Sequence, residues 1–257
     1  MKYLFAPLLL LPVLLLTLFP SAPADVSADD PIVKPFEAPD DIPGESFAVL
    51  ELFTSQGCSS CPSADALLSE LDAGDDRVLA LSFHVDYWNY LGWKDPFSSA
   101  VFSARQSDYT DALRERTYTP QLVVNGSEAL IGSRRGEVTA AVAKALKQTD
   151  FVVPALTTTR EGNRVSVSYD LGGVATEGLR VSALLVQPSA ESSVSRGENR
   201  GRKLHHVNVV RDLAQAPAQA TGTLTLTAPD NLDAAAAEVV LLLEDASTYA
   251  VVGAARD

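Results

Sequence analysis

Between residues 46 and 150 the sequence alternates between short apolar runs and segments with helical spacing. Four apolar runs have the length of strands: 47–53, 78–83, 121–124 and 129–132. Three segments repeat apolar residues at helical spacing: 64–71, 97–116 and 137–147. This alternation favours parallel strands with helices on both faces, and Asn125-Gly126 between the last two runs is typical of a hairpin at the sheet edge.

The order strand, helix, strand, helix, strand, strand, helix predicts a thioredoxin-like α/β domain over residues 46–150. After it come short alternating runs separated by turn residues: 164–169, 179–186, 205–210, 223–227, 238–243 and 251–252. Several short strands at this spacing are typical of an antiparallel sandwich. We therefore expect a small antiparallel β-sandwich-like domain at residues 151–257.

The first 24 residues have the pattern of a secretory signal peptide. Lys2 is the only charged residue before Asp25, an apolar run follows it, and small residues precede a cleavage site after Ala24. An uncleaved anchor is the alternative, but the run is shorter than the ~20 residues that a membrane span requires. Residues 25–45 predict a flexible acidic lead-in. We expect a secreted or periplasmic protein with no stable membrane insertion after cleavage.

The chain is acidic, with a formal net charge of −13. Nucleic acids and anionic membrane surfaces bind proteins through basic patches. We therefore expect neither of them as a partner.

The chain has two cysteines, Cys58 and Cys61, three residues apart. A disulfide between them closes a loop of about four residues, which the chain-entropy model credits with only roughly 2 kcal/mol. The pair follows a strand and opens a helix, where the helix dipole and unpaired N–H groups favour a thiolate. We expect Cys58 to be the attacking thiolate, with a lowered pKa, and Cys61 to be the resolving thiol.

Two further segments are expected beside the dithiol. In thioredoxin-like folds a cis proline precedes the third strand, so Pro120 is assigned to the catalytic site, and Thr119 and Tyr118 to substrate binding. The aromatic segment 84–96 either forms a recognition wall near Cys58 or covers an edge of the core. It supplies further candidates for substrate binding, His84, Trp88 and Trp93, and for proton handling, Asp86 and Lys94.

Metal binding is the alternative to redox chemistry for the two cysteines. A structural zinc site needs four ligands, and the three histidines form no second paired motif with the cysteines. Copper(I) needs fewer ligands and prefers thiolates, so a copper site of Cys58, Cys61 and His84 is the alternative. Otherwise no cofactor is expected.

Four strings resemble a family of secreted bacterial proteins catalogued as domain of unknown function twelve twenty-three. They are LELFTSQGCSSCP at 50–62, FHVDYWNYLGWKDPF at 83–97, YTPQLVVNG at 118–126, and RGENRGR at 196–202 with NVVR at 208–211. The resemblance implies a thioredoxin-like fold and export, but no reaction. The basic string at 196–202 is either a solvated loop, a group that docks the second domain onto the dithiol, or a site for an acidic group.

Together these features predict an exported thiol–disulfide oxidoreductase. Its expected partners are protein or small-molecule thiols and disulfides, with a redox partner protein as a further candidate. The rival hypotheses are the copper(I)-binding protein and a binding module that keeps the fold without redox activity. A buried disulfide that resists reduction would favour the binding module.

Overall fold

The structure, a computed structural model, describes residues 47–148 and 150–257. The predicted signal peptide at 1–24 and acidic lead-in at 25–45 lie outside the described residues. Within the described ranges, no helix has the length and apolar character needed to cross a membrane.

The described chain is a mixed α/β protein with three α-helices and eleven strands. The elements of its first part are β1 (Ala48–Thr54), α1 (Pro62–Gly74), β2 (Val78–His84), α2 (Ala100–Leu113), β3 (Gln121–Val124), β4 (Glu128–Ile131) and α3 (Arg135–Ala145). The elements of its second part are β5 (Ala155–Glu161), β6 (Arg164–Asp170), β7 (Leu179–Ser193), β8 (Lys203–Pro217), β9 (Thr221–Thr227), β10 (Glu238–Asp245) and β11 (Val251–Arg256).

The first strand is buried along its whole length because helices cover both of its faces. Leu50 and Leu52 pack in a cluster with apolar residues of α1 and α3. Val49 and Phe53, which point the other way, pack with Phe102 and others around α2. The continuous apolar run at 47–53 is therefore the signature of a strand buried on both faces.

One large mixed sheet organises the fold, with strand order β11-β10-β7-β8-β2-β1-β3-β4. Two predicted pairings in its first part are confirmed: β1 is parallel to β2, and β3 is antiparallel to β4. The antiparallel pairing of β1 with β3 was not predicted from the alternation. The sheet then continues from β2 into β8, through a parallel pairing of Ser82 with Val209. Strands from both predicted domains thus share a sheet, and the division near residue 150 stays a prediction.

The remaining strands, β5, β6 and β9, form a second, three-stranded sheet. Its Val165, Val167 and Leu226 are fully buried in a cluster with apolar residues of β7 and β10. The second part of the chain therefore places two layers of strands face to face. β5 was not predicted from the sequence.

Two strands are longer than predicted. Runs were expected at 179–186 and 205–210, whereas β7 and β8 each have 15 residues. The outer part of β7, from Gln187 to Ser193, pairs with β8 and lies beyond the part that pairs with β10. Because this part of β7 does not pair with β10, polar residues can occupy it. The apolar alternation therefore ends before the strand does. The two strands form a long hairpin whose tip is residues 194–202.

A buried group of charged side chains joins the two parts of the chain. Arg105 on α2 donates to Glu51 on β1 at 2.6 and 2.9 Å, and to Glu244 on β10 at 2.6 Å. Burial would raise the pKa of Glu244, but the charges of Arg105 and Arg180 outweigh it and hold the pKa below its ordinary value. Burial raises the pKa of Tyr109, which hydrogen-bonds to Glu51. We call these five residues the junction cluster.

Candidate functional site

The two cysteines lie where β1 turns into α1 and are joined in a disulfide with a Cα–Cα distance of 5.5 Å. Cys58 N–H donates to the Ser55 carbonyl at 3.1 Å, which closes the turn after the strand. Cys61 is the N-cap of α1, and its carbonyl accepts from the N–H groups of Ala64 and Asp65. The predicted placement of the C-x-x-C pair at a helix N-terminus is confirmed.

Both cysteines are buried, although the residues between them are not. Cys58 is 1% exposed and Cys61 is 0% exposed, whereas Ser59 and Ser60 face solvent. The Ser60 hydroxyl lies 3.3 Å from the Cys58 sulfur. A hydroxyl at this distance can donate to a thiolate formed on Cys58.

The tip of the β7–β8 hairpin covers the dithiol turn, and we call residues 194–202 the strap. The Asn199 side-chain amide donates to the carbonyls of Gln56 and Cys58, at 3.0 and 2.8 Å. Glu198 accepts from the Ser59 N–H at 2.9 Å, and hydrogen bonds from Ser59 lower the pKa of its carboxyl. The hypothesis that this basic string docks onto the dithiol is confirmed. Glu198 and Asn199, rather than its arginines, make these contacts.

The aromatic segment lies against the same turn. The Trp93 indole donates to the Gln56 side chain at 3.0 Å. The Trp88 indole donates to the Thr119 hydroxyl at 2.9 Å. A Cβ on Gly57 would lie only 2.9 Å from the Trp88 Cβ, so this close approach requires glycine. Trp88 also packs against the core around α2, so it both contacts the dithiol turn and covers an edge of the core. A role in recognising substrate stays a prediction.

The structure brings the predicted proline segment to this wall. The Thr119–Pro120 peptide bond is cis, as expected, and Pro120 is buried. Thr119 accepts a hydrogen bond from Trp88, which in turn lies against Gly57 of the dithiol turn. Tyr118 is half-buried, and burial raises the pKa of its hydroxyl.

A buried histidine–carboxylate pair lies next to the dithiol turn. His84 Nδ1 lies 2.7 Å from Asp95 Oδ2, and both side chains are 0% exposed. Burial alone would lower the pKa of His84, but the Asp95 carboxylate outweighs it and the pKa is raised. Burial alone would raise the pKa of Asp95, but His84 and the N–H groups of Gln56 and Phe97 hold it below its ordinary value. His84 was expected to bind substrate, yet its ring faces only other protein groups.

A second buried pair, missed from the sequence, lies beside the first. The His206 ring on β8 makes an edge contact with the His84 ring at a centroid distance of 4.6 Å. His206 Nδ1 lies 3.6 Å from Asp65 Oδ2 on α1, and its Nε2 lies 3.3 Å from the Gln56 amide nitrogen. Strand alternation was the available signal, because it places one residue of the His205-His206 doublet inward.

The side chains of the two residues proposed for proton handling form no hydrogen bond with the described residues of these pairs. Asp86 accepts a hydrogen bond from the Ser103 hydroxyl at 2.6 Å, which ties the aromatic segment to α2. Lys94 is exposed and forms no hydrogen bond or ion pair with any described residue. Asp65, Asp95 and His206 instead supply the buried titratable groups near the dithiol turn.

Within residues 47–148 and 150–257, no group of three or more His, Cys, Asp or Glu side chains is arranged to hold a metal ion. The predicted copper ligands Cys58, Cys61 and His84 are not such a group, since the cysteines bond to each other and His84 bonds to Asp95. The copper alternative therefore stays a prediction without a supporting contact.

The fold and site define a mixed α/β protein with a strap-covered C-x-x-C disulfide at a helix N-terminus. The chain belongs to the family described as "Protein of unknown function (DUF1223)", whose model matches residues 49–244. It is similar to the crystal structure of protein AGR_C_4864 from Agrobacterium tumefaciens, with 29% identity, a TM-score of 0.63, and coverage of 83% of this chain and 95% of that one. HBP35 of Porphyromonas gingivalis has a similar fold, with 14% identity, a TM-score of 0.59, and coverage of 84% and 76%. No curated protein matches the chain.

Proposed function

We propose that this protein is an exported thiol–disulfide oxidoreductase built on a thioredoxin-like domain. The observation that carries the proposal is the Cys58–Cys61 disulfide at the N-terminus of α1, with the Ser60 hydroxyl 3.3 Å from the Cys58 sulfur. A helix N-terminus and a nearby hydroxyl donor both stabilise a thiolate. Export rests on the signal-peptide pattern of residues 1–24.

The topology around the dithiol supports the thioredoxin-like assignment. Strands β2, β1, β3 and β4 lie side by side in that order, and the C-x-x-C pair follows β1. The cis proline precedes β3. Its neighbour Thr119 accepts a hydrogen bond from Trp88, which lies against the dithiol turn. These are the positions at which such folds carry a dithiol and a substrate-contacting loop.

The exchange balances as two thiol–disulfide displacements. The Cys58 thiolate attacks a substrate disulfide, one substrate sulfur leaves as a thiolate, and a mixed disulfide forms at Cys58. Cys61 then loses its proton and attacks the Cys58 sulfur, which releases the second substrate thiolate and closes the Cys58–Cys61 bond. The protein dithiol loses two electrons and the substrate disulfide gains them. The reverse sequence oxidises a substrate dithiol.

Burial of the disulfide adds a step to this scheme. Because Cys58 is 1% exposed, an incoming thiolate reaches its sulfur only after the strap moves. Asn199 and Glu198 hold the strap through three hydrogen bonds to the dithiol turn. The proposal therefore includes opening of the strap before exchange.

Trapping of the mixed disulfide tests the proposal. The Cys61→Ser variant keeps the attacking thiol and removes the resolving one, so a disulfide probe such as oxidised glutathione should form a stable adduct at Cys58. The Cys58→Ser variant is the matched control and should form far less, because the hydroxyl that can stabilise a thiolate lies at Cys58. Mass spectrometry of the intact protein measures both. Equal, slow labelling of the two variants, only under unfolding conditions, would refute the proposal and favour the binding module.

A further inference from the structure

Among the described residues, six buried side-chain atoms have no hydrogen-bond partner. Two of them, Asp65 Oδ1 and His206 Nδ1, lie in one pair near the dithiol, on residues 5% and 1% exposed, and a third, His84 Nε2, lies in the neighbouring pair. Buried polar atoms are almost always paired, so a pair of unsatisfied ones beside a reactive group points to a role in chemistry. The first two belong to the same pair, because His206 Nδ1 lies 3.6 Å from the other oxygen of Asp65.

Asp65 stands on the same face of α1 as Cys61. The two residues are four apart, and the Asp65 N–H donates to the Cys61 carbonyl at 3.0 Å, as in a regular helical turn. Cys61 itself has helical dihedrals, φ −72° and ψ −36°. Side chains four apart on a helix are neighbours, with Cβ atoms about 5–6 Å apart. Asp65 thus lies one helical turn from the cysteine that must lose its proton.

We propose that Asp65 accepts the proton of Cys61 in the resolving step, and that His206 is the positioning residue that holds the Asp65 carboxylate. This inference rests on the proposed thiol–disulfide exchange. In the step, the Cys61 S–H bond breaks and an Asp65 O–H bond forms. The Cys61 thiolate attacks the Cys58 sulfur, and the substrate leaves as a thiolate.

The proton has a route to solvent. Asp65 lines a groove along α1 together with Pro62, Ser69 and His205. Pro62 directly follows Cys61, so the groove starts beside the dithiol. Arg202 of the strap also lines this groove, and a proton on Asp65 can exchange with water where the groove opens to solvent.

Several titratable and charged groups face this pair from neighbouring elements. His84 from β2 contacts the His206 ring, and Asp95 from the aromatic segment is bonded to His84. Arg211, further along β8, lies over the Phe97 ring, which also faces His206. His206 thus has a carboxylate on one side and the His84–Asp95 pair on another.

The test separates the two displacement steps with the aromatic disulfide 5,5′-dithiobis(2-nitrobenzoate) on the pre-reduced protein. The first step forms a mixed disulfide at Cys58, and the second releases it. Acid quenching followed by mass spectrometry counts the mixed disulfide at each time and pH. In the wild type it should not accumulate near neutral pH.

The Asp65→Asn variant should accumulate the mixed disulfide near neutral pH, with resolution slowed at least tenfold, since general-base catalysis contributes about 10²–10⁴-fold. Resolution should recover above the ordinary thiol pKa of about 8.5, where Cys61 ionises unaided. His206→Gln, a second variant in case Asp65→Asn folds poorly, should shift the pH profile in the same direction. Asp76→Asn is the matched control and should behave as wild type, because this exposed carboxylate lies beyond the far end of α1 and does not line the groove.

Unchanged resolution with an unchanged pH profile in both Asp65→Asn and His206→Gln would overturn the proton-transfer role while leaving the exchange function intact. Absence of any mixed disulfide in pre-reduced wild type, with Cys58 unreactive, would instead overturn both.

Discussion

Ser60 is the side chain whose contact with the reactive sulfur can be tested most simply. Its hydroxyl lies 3.3 Å from the Cys58 sulfur and is itself exposed. We expect Ser60→Ala to raise the pKa of reduced Cys58 by about 0.5 to 1 unit, since one hydrogen bond contributes roughly 1 kcal/mol. The rate of alkylation against pH measures it. Ser69→Ala, two turns further along α1, is the control and should leave the pKa unchanged.

The His84–Asp95 pair should make stability depend on pH. The pKa of His84 is raised above its ordinary value of 6.5, so its contribution is fully present below that value and is lost as the pH rises through the folded-state pKa. The pKa of Asp95 is lowered from 3.8, so its contribution is present above that value and is lost as the pH falls through the folded-state pKa. The pair therefore stabilises the fold most between these two ordinary values.

Urea unfolding across this pH range checks the assignment. The difference in unfolding free energy between wild type and Asp95→Asn should be largest between the two ordinary values and shrink as the pH rises above 6.5. His205→Gln should give no such pH-dependent difference, because that side chain is exposed. A wild-type advantage that grows steadily above the histidine range would contradict the pairing.

Single residues also show which parts of the site local sequence patterns can predict and which they cannot. Cys58, Cys61 and the cis Pro120 could be placed because local patterns fix a helix N-terminus and a strand start. His206 and Asp65 could not be joined from the sequence, because their contact spans β8 and α1. When the partner of a buried residue lies on a distant element, the only local signal is that strand alternation places the residue inward.

Among the elements, the strap offers the clearest prediction. Asn199 donates two hydrogen bonds to carbonyls of the dithiol turn and is 1% exposed. Asn199→Ala should speed reduction of the native disulfide by dithiothreitol about tenfold, because the lost bonds are together worth roughly 1.4 kcal/mol or more. Arg196→Ala is the control, since this exposed residue of the strap makes no hydrogen bond or ion pair with any described residue. Equal reduction rates in both variants and wild type would show that the strap does not gate the disulfide.

Helices and strands could be predicted where burial of one or both faces produces a periodic or continuous apolar pattern in the sequence. β1 and β2 are buried throughout and read as continuous apolar runs. β5 alternates between exposed and half-buried residues and consists largely of threonine and polar side chains, so it carries no such signal. α2 begins at Ala100 rather than at 97, because the Ser99 side chain caps it by accepting from the Val101 N–H.

At the scale of the whole molecule, the junction cluster should hold the two parts of the chain together. Glu244 on β10 is fully buried and pairs with Arg105 and Arg180. Glu244→Gln should destabilise the fold by about 3 kcal/mol, since breaking a buried pair leaves uncompensated charge. Glu191→Gln, which breaks an exposed pair with Lys203, should leave stability nearly unchanged, because solvent screens such a pair. Similar losses for both variants in urea unfolding would contradict this role of the cluster.

The shared sheet is the part of the architecture that the sequence did not predict. The alternation up to residue 150 and the short strands after it favour two separate domains. Within the sheet, the two parts are joined by one parallel pairing, Ser82 with Val209, far apart in the chain. A contact this short and this distant leaves no periodic pattern in either segment. It nevertheless brings the hairpin and its strap onto the dithiol.

The central claim is that Cys58 and Cys61 form a reversible redox couple in the folded protein. Equilibration of the wild-type protein in glutathione buffers of graded ratio, followed by thiol alkylation and mass spectrometry, measures it directly. We expect a two-electron transition between one disulfide and two free thiols, identical from either direction, with the fold retained by circular dichroism. A disulfide that stays closed in every buffer until the protein unfolds would contradict it.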